Sequence, residues 1–411
     1  MTTALNKVTV DRLAANEPSW LADRRQEAWT LYDRLPFPSR KDFEWQRLDI
    51  RPVLVDSLCA GNGTPVVQAS LSSLSSQLAT TGFFFSDLAT ALTQHGEIVR
   101  RYLGRAIPAT EPAKFAALHN AFWSVGACLY VPRGVRVPEP LEITYRFSGR
   151  QVGGFPRTLV IVEPGAEVTL VQRFVGGPEN PAPKDAPSLF ASATEVFVEE
   201  GAKLHYISLQ DLAPHVYDFS VKRAEVARDA EVDWVLGMFG GSFLRYDVQS
   251  TMNGEGATSS MYGVAIGTGR QQLAQFTRQH HRVGNTTSDL LFKNVLRNRA
   301  ISNYTGTIKV EKDANGTNAY QSNRNLVLDK EVQCDTRPIL EIESNKLRCT
   351  HGATVGRLDP QQLYYLCSRG LPESQARDLL IEAFLNPVLD RVRVEGVREE
   401  FRQLVRRKLE T

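Results

Sequence analysis

The stretch Val162-Glu163-Pro164-Gly165-Ala166-Glu167-Val168-Thr169-Leu170 comes back three times, and this near-repeat restricts the fold more than any other feature. It returns as Val198-Glu199-Glu200-Gly201-Ala202-Lys203-Leu204-His205-Tyr206 and as Val226-Ala227-Arg228-Asp229-Ala230-Glu231-Val232-Asp233-Trp234. A shortened copy follows as Met252-Asn253-Gly254-Glu255-Gly256-Ala257. The alanines at 166, 202, 230 and 257 step by 36, 28 and 27 residues. The longer first step contains Gly176-Gly177-Pro178-Glu179-Asn180-Pro181-Ala182-Pro183, which reads as a loop insertion. A tight turn followed by alternating residues, repeated at this period, marks a solenoid whose stacked neighbours bury one continuous core. Leu141, Ile143, Tyr145 and Phe147 share one face of another such strand. No helical pattern separates these strands, which fits a β-helix better than βαβ units. An antiparallel sandwich is also compatible with the periodicity alone.

The flanks read differently. Residues 1–120 look helical and irregular. Ser19 is placed to cap a helix carrying Trp20, Leu21, Ala28, Leu31, Tyr32 and Leu35, which stops at Pro36. Leu71–Gln77 is a Ser/Leu-rich surface connection, and Pro112 sits in the first turn of a helix that precedes the first strand of the body. After Gly356 the pattern is helical again. Asp359 caps and Pro360 opens a helix closed by Gly370. Pro372 opens the next, striped with Ala376, Leu379, Leu380, Ala383 and Phe384, and Pro387 is expected to stop it. A last amphipathic segment carries Val397, Phe401, Leu404, Val405 and Leu409 inside a basic outer face. The expected organisation is an N-terminal helical domain (1–120), a β-core (121–357) and a C-terminal helical domain (358–411).

Composition excludes several function classes. With 48 Lys+Arg against 46 Asp+Glu the net charge is +2, which offers no electrostatic case for nucleic acid or an anionic membrane. No apolar run approaches a membrane span, and Met1–Lys7 has no apolar signal core, so secretion is not expected. Five scattered cysteines (59, 128, 334, 349, 367) without a C-x-x-C form no disulfide framework and fit a reducing, cytoplasmic setting. There is no G-x-x-x-x-G-K-[ST] loop, so any ATP use belongs to a partner. A β-helix carbohydrate enzyme would want paired carboxylates along one face, and none can be picked out.

Two stretches could carry chemistry. Cys349 and His351 are two apart, so on an extended chain they share a face, and thiolate with imidazole suits Zn, Cu or iron. Two ligands leave the site incomplete, so a second segment or chain must close it. A buried Cys349 beside a hydrogen-bonded His351 is the plain structural alternative. His280 and His281 are adjacent and should face opposite sides of a strand, one inward and one outward.

Taken together, Pro338-Ile339-Leu340-Glu341-Ile342-Glu343, Cys349-Thr350-His351-Gly352-Ala353-Thr354-Val355-Gly356, Leu363-Tyr364-Tyr365-Leu366 and Ser368-Arg369-Gly370 resemble the SufB/SufD family of iron–sulfur cluster assembly scaffolds. Glu44-Trp45-Gln46-Arg47-Leu48-Asp49 is a partial match to a segment near the start of SufD-type members, and His281, Thr286 and Ser288 fit the family's H-x-x-x-x-T-x-S. The intact His351–Gly356 run and the near absence of N-terminal cysteines favour a SufD type over a SufB type. The resemblance implies a right-handed parallel β-helix and a non-enzymatic scaffold role. It implies pairing with a SufB-type paralogue through the β-helix and docking of a SufC-type ATPase on the helical tail, where Leu379, Phe384, Phe401 and Leu404 are the candidate contacts. The resemblance also leaves a homodimer open for the chain in isolation from those partners. His351 and Cys349 would then form half of a transient site for iron or a cluster. No tightly bound cofactor is expected, and a reduced flavin would belong to the assembled complex.

Overall fold

The computed structural model describes residues 4–53, 55–59, 66–72, 82–111, 113–176 and 186–410. Two long, mostly parallel sheets face each other, and the chain alternates between them to build a β-solenoid of about eight turns. One sheet runs from Val67–Leu71 and Leu141–Phe147, paired antiparallel, through Glu167–Gly176, Lys203–Asp211, Glu231–Met238, Thr258–Gly267, Thr287–Leu296 and Asn318–Val327 to Arg348–Gly356. The other runs from Phe84–Asp87 and Val125–Val131, again antiparallel, through Pro156–Val162, Ser188–Val198, Val216–Val226, Phe243–Met252, Gln272–His281 and Ile301–Val310 to Gln333–Ile342. The alternative of an antiparallel sandwich is thereby excluded. The main core lies between the sheets, where Val168, Leu170, Val196, Trp234, Leu236 and Met261 interlock.

The near-repeat is one corner of the solenoid. Gly165, Gly201, Asp229 and Gly256 all adopt positive φ (70°, 64°, 54° and 74°), and each donates its N–H to the turn of the following coil. Glycine does this without strain, and Asp tolerates it. The alanine after each turn points inward and is fully buried. Two further coils use Asn285-Thr286 and Gly316-Thr317 at the same corner, with φ of 56° and 75°. The ladder continues as Asn285 N–H to the Asn315 carbonyl and Gly316 N–H to the Lys346 carbonyl, and it starts one coil earlier, where Gly134 (φ 71°) donates to the Pro164 carbonyl, so the repeat is seven coils long where the Gly-Ala pattern showed four.

The N-terminal region is not helical throughout. The strands Val67–Leu71 and Phe84–Asp87 come from it and start the two sheets. Helix Ser19–Arg34 begins at Ser19 and takes Pro18 as its cap position, so the Ser19 side chain caps nothing. The helix before the body spans Lys114–Phe122. Pro112, residues 73–77 of the Ser/Leu-rich connection and residues 177–183 of the insertion lie outside the described residues. A buried ion pair anchors this region to the solenoid: Glu195, with no exposed surface, accepts from Arg157 and from the N–H groups of Gly104, Ala106 and Ile107.

At the other end, Asp359 accepts from the Gln361 N–H and Pro360 occupies the first turn of helix Pro360–Ser368, with Gly370 following at φ 95°. Helix Glu373–Leu389 continues past Pro387, which sits inside its last turn and does not end it. This helix and Glu395–Glu410 lie against the outer face of the first sheet. Phe401 and Leu404, expected on a partner-binding face, turn toward the solenoid and are buried among Val235, Phe239, Val264 and Leu385. Gly237 makes room for the aromatic ring, since a Cβ there would lie 2.5 Å from Phe401 Cε1. The apolar stripe of this last helix is consumed within the chain.

Candidate functional site

The C-terminal end of the solenoid is uncapped. Gln333–Ile342 pairs only with Ile301–Val310, and Arg348–Gly356 only with Asn318–Val327; their far edges meet no further strand among the described residues. Burial falls accordingly. Every residue of Ser188–Val198 is buried, whereas none of Gln333–Ile342 or Arg348–Gly356 is. Ile342, Val355 and Tyr320 remain 39%, 50% and 40% exposed, an apolar rim around the last coil.

Register decides where the candidate ligands point. Cys349 aligns with Ala319, His351 with Gln321, Ala353 with Asn323 and Val355 with Asn325. All four partners are buried inside the solenoid, so Cys349 and His351 continue an inward-facing column at its mouth. Cys349 is half-buried against the cluster of Ile308, Val310, Ala314 and Ala319, and that burial raises the thiol pKa. His351 is exposed and has no hydrogen-bond partner among the described residues. No group of three or more His, Cys, Asp or Glu that could hold a metal ion occurs among them either.

Cys334 also faces inward in this coil, in register with the fully buried Ser302. It opens its strand, whereas Cys349 follows the turn that ends it, which separates the two by roughly 25 Å at a rise of about 3.3 Å per residue. Burial, with the Asp335 carboxylate, pushes the Cys334 thiol up to about 12. The histidine pair divides as its spacing predicts. His281 is fully buried, with Nδ1 2.7 Å from Thr286 Oγ1 and Nε2 2.9 Å from Ser288 Oγ. Burial, then the neighbouring His280, lowers its pKa to about 3, so it is a neutral core histidine that ties a corner turn to the next strand. His280 faces outward, 2.8 Å from Glu311.

Sequence reasoning assigned no role to the segment at 44–49, and the structure supplies one. Glu44 binds Arg245 at 2.6 Å, Trp45 stacks on Phe243, and Gln46 and Arg47 reach the last coil through Arg337 (3.0 Å) and Asp335 (3.1 Å). The segment braces the outer face of the second sheet right up to its open end. The helical tail offers a second surface. Helix Pro360–Ser368 buries no residue, with Tyr364 76% exposed. A groove of about 720 Å³ beside it is lined by Leu358, Leu371, Leu379, Ile381 and Leu409 among charged residues. Leu379 is exposed, while Phe384 is partly buried and its carbonyl accepts from Lys293.

Residues 145–384 match the family model described as SUF system FeS cluster assembly, SufBD core domain. The chain belongs to the SufBD family. The matched span takes in most of the solenoid, both end strands, Cys349, His351 and Leu379, and stops short of the helix that carries Phe401 and Leu404. The iron-sulfur cluster assembly protein SufD of Bacillus subtilis is 30% identical over 96% of this chain and 95% of its own length. A SufBD family protein of Staphylococcus epidermidis is 28% identical over 93% and 88%, and one from Staphylococcus aureus is 28% identical over 90% and 86%. The SufD-like assignment and the solenoid expected from it therefore hold. No helix among the described residues is long and apolar enough to cross a membrane.

Proposed function

We propose that this chain is a non-catalytic, SufD-like scaffold subunit that works at its open solenoid end. The observation that carries this reading is the uncapped last coil: two unpaired strand edges, an apolar rim and the Cys349–His351 pair lie together on one face. Exposed edges of this kind are templates for pairing with another chain. A SufB-type paralogue would continue the stack and supply the missing ligands, so that iron or a cluster is held only where the two subunits meet. The cargo passes through, and a reduced flavin, if bound, belongs to the assembled complex.

A SufC-type ATPase would dock on the tail. Helix Pro360–Ser368, Leu379 and the adjoining groove support that, since they keep apolar surface exposed after the last two helices have packed. With Phe401 and Leu404 packed on the solenoid, this reading seats the ATPase on the helices that precede the last one.

His351→Ala is expected to leave folding and complex formation unchanged and to lower iron–sulfur cluster yield in cells about tenfold, the size of effect that follows damage to a metal-ligand set. Cys349→Ala should be milder, because its side chain mainly fills the Ile308–Val310 cluster. Cluster content by absorbance and iron assay of the co-purified complex checks this. A folding defect in His351→Ala, or a larger loss at Cys349, would reverse the assignment.

A further inference from the structure

The two edges left open at the C-terminal end of the solenoid are not equivalent. Gln333–Ile342, which ends the second sheet, is half-buried over most of its length. Arg348–Gly356, which ends the first, is exposed at seven of its nine residues. What separates them is the segment at 43–49, which crosses the outer face of the second sheet and binds four successive strands of it. Glu44 holds Arg245 on the first of these, and the Asp49 N–H donates to Gln272 Oε1 at 2.7 Å on the next. Asn303 Nδ2 then donates to the Gln46 carbonyl at 2.6 Å. On the last strand Arg337 is held in three ways: Nη1 donates to the Phe43 carbonyl at 2.9 Å, Nη2 donates to Gln46 Oε1 at 3.0 Å, and the guanidinium carbon lies 4.7 Å from the centre of the Phe43 ring. Arg47 reaches Asp335 of the same strand at 3.1 Å. Its φ is 64°, a conformation that non-glycine residues seldom take and that persists where surrounding contacts enforce it. Nothing comparable holds the other edge. Among the described residues no side chain of Arg348–Gly356 makes a hydrogen bond or an ion pair.

We infer that residues 43–49 are a brace that gives the two open edges different roles in pairing. The inference rests on the reading that a SufB-type subunit pairs at this end. Gln333–Ile342 is the preformed template on which the paralogue's strand pairs first, and Arg47 and Arg337 are positioning residues for that step. An edge already held as a strand loses less conformational freedom on pairing, which favours association there. Arginine suits the position, since its planar fork bonds two acceptors while its face lies on an aromatic ring. The unbraced edge carries Cys349 and His351 and opens locally at lower cost. It settles onto the partner afterwards, so the candidate ligands are fixed only as the interface closes.

Hydrogen–deuterium exchange of the full chain, read by mass spectrometry on peptides covering 333–342 and 348–356, tests this alone and with the SufB-type subunit. In the lone chain 348–356 is expected to exchange faster than 333–342. Arg47→Ala with Arg337→Ala removes the charge-assisted bonds to the brace and should speed exchange of 333–342 about tenfold. Exchange of 348–356 and the urea midpoint should stay as in wild type. The same variant should bind the SufB-type subunit about tenfold more weakly. On pairing of the wild type, the larger gain in protection should fall on 348–356.

Equal exchange at the two edges of the lone chain, or exchange of 333–342 that ignores both substitutions, would overturn the brace. Faster exchange spread over the whole chain with a lowered urea midpoint would reduce the two arginines to a general stabilising role and overturn it too. A larger gain on 333–342 on pairing would contradict the proposed order. If the wild type binds no SufB-type subunit, the end-face reading fails and the pairing role falls with it, whereas wild-type affinity in the doubly substituted chain overturns this inference alone.

Discussion

Glu195→Ala is expected to destabilise the chain by about 3–5 kcal/mol, the cost of breaking a buried pair from one side. Glu195 is wholly buried and Arg157 is 3% exposed. The carboxylate also collects the N–H groups of Gly104, Ala106 and Ile107 at 2.9–3.1 Å, while Arg157 Nη1 donates to Asn120 Oδ1 at 2.6 Å. Removing the carboxylate strands a guanidinium and three backbone donors in a buried seam between the N-terminal region and the solenoid. Replacing both partners at once, as Arg157→Met with Glu195→Leu, should recover part of the loss, because an apolar pair leaves no unpaired charge. Urea unfolding followed by circular dichroism measures it. A single variant as stable as wild type would show that this pair does not anchor the N-terminal region.

The second large effect is expected at the open end. Ile342→Lys with Val355→Lys should weaken pairing with a SufB-type subunit at least 100-fold, about 2.8 kcal/mol at 1.4 kcal/mol per tenfold. Both side chains belong to the exposed rim, so the lone chain should unfold within about 0.5 kcal/mol of wild type. Charges, especially lysines, are how natural edge strands avoid pairing, and two of them would have to be desolvated in the interface. Titration of the variant against the immobilised paralogue gives the affinity. Unchanged binding would place the interface elsewhere on the molecule.

The solenoid was readable because its corner needs positive φ, and glycine followed by a small inward residue satisfies that need visibly at 165, 201 and 256. The coils at Asn285 and Gly316 were not read as copies, since asparagine can take the same φ and threonine can fill the alanine position, which erases the pattern while keeping the geometry. Helix boundaries in the tail followed from Asp359, Pro360 and Gly370, but the side that Phe401 and Leu404 face did not. Amphipathic spacing shows that a helix has an apolar stripe and is silent about what covers it. At the candidate site, the shared face of Cys349 and His351 came from their spacing. That the face is the mouth of the solenoid came only from the strand register, because nothing in a local pattern says that a stack ends uncapped. The partition of His280 and His281 was readable for the opposite reason, since it depends only on strand alternation.

The most direct measurement is co-expression of the tagged chain with SufB-type and SufC-type partners, followed by pull-down and size-exclusion chromatography with mass determination. The scaffold account expects one stable complex containing both partners, in which Ile342→Lys with Val355→Lys releases the SufB-type chain and leaves the ATPase attached. A monomer or homodimer that captures neither partner would contradict it.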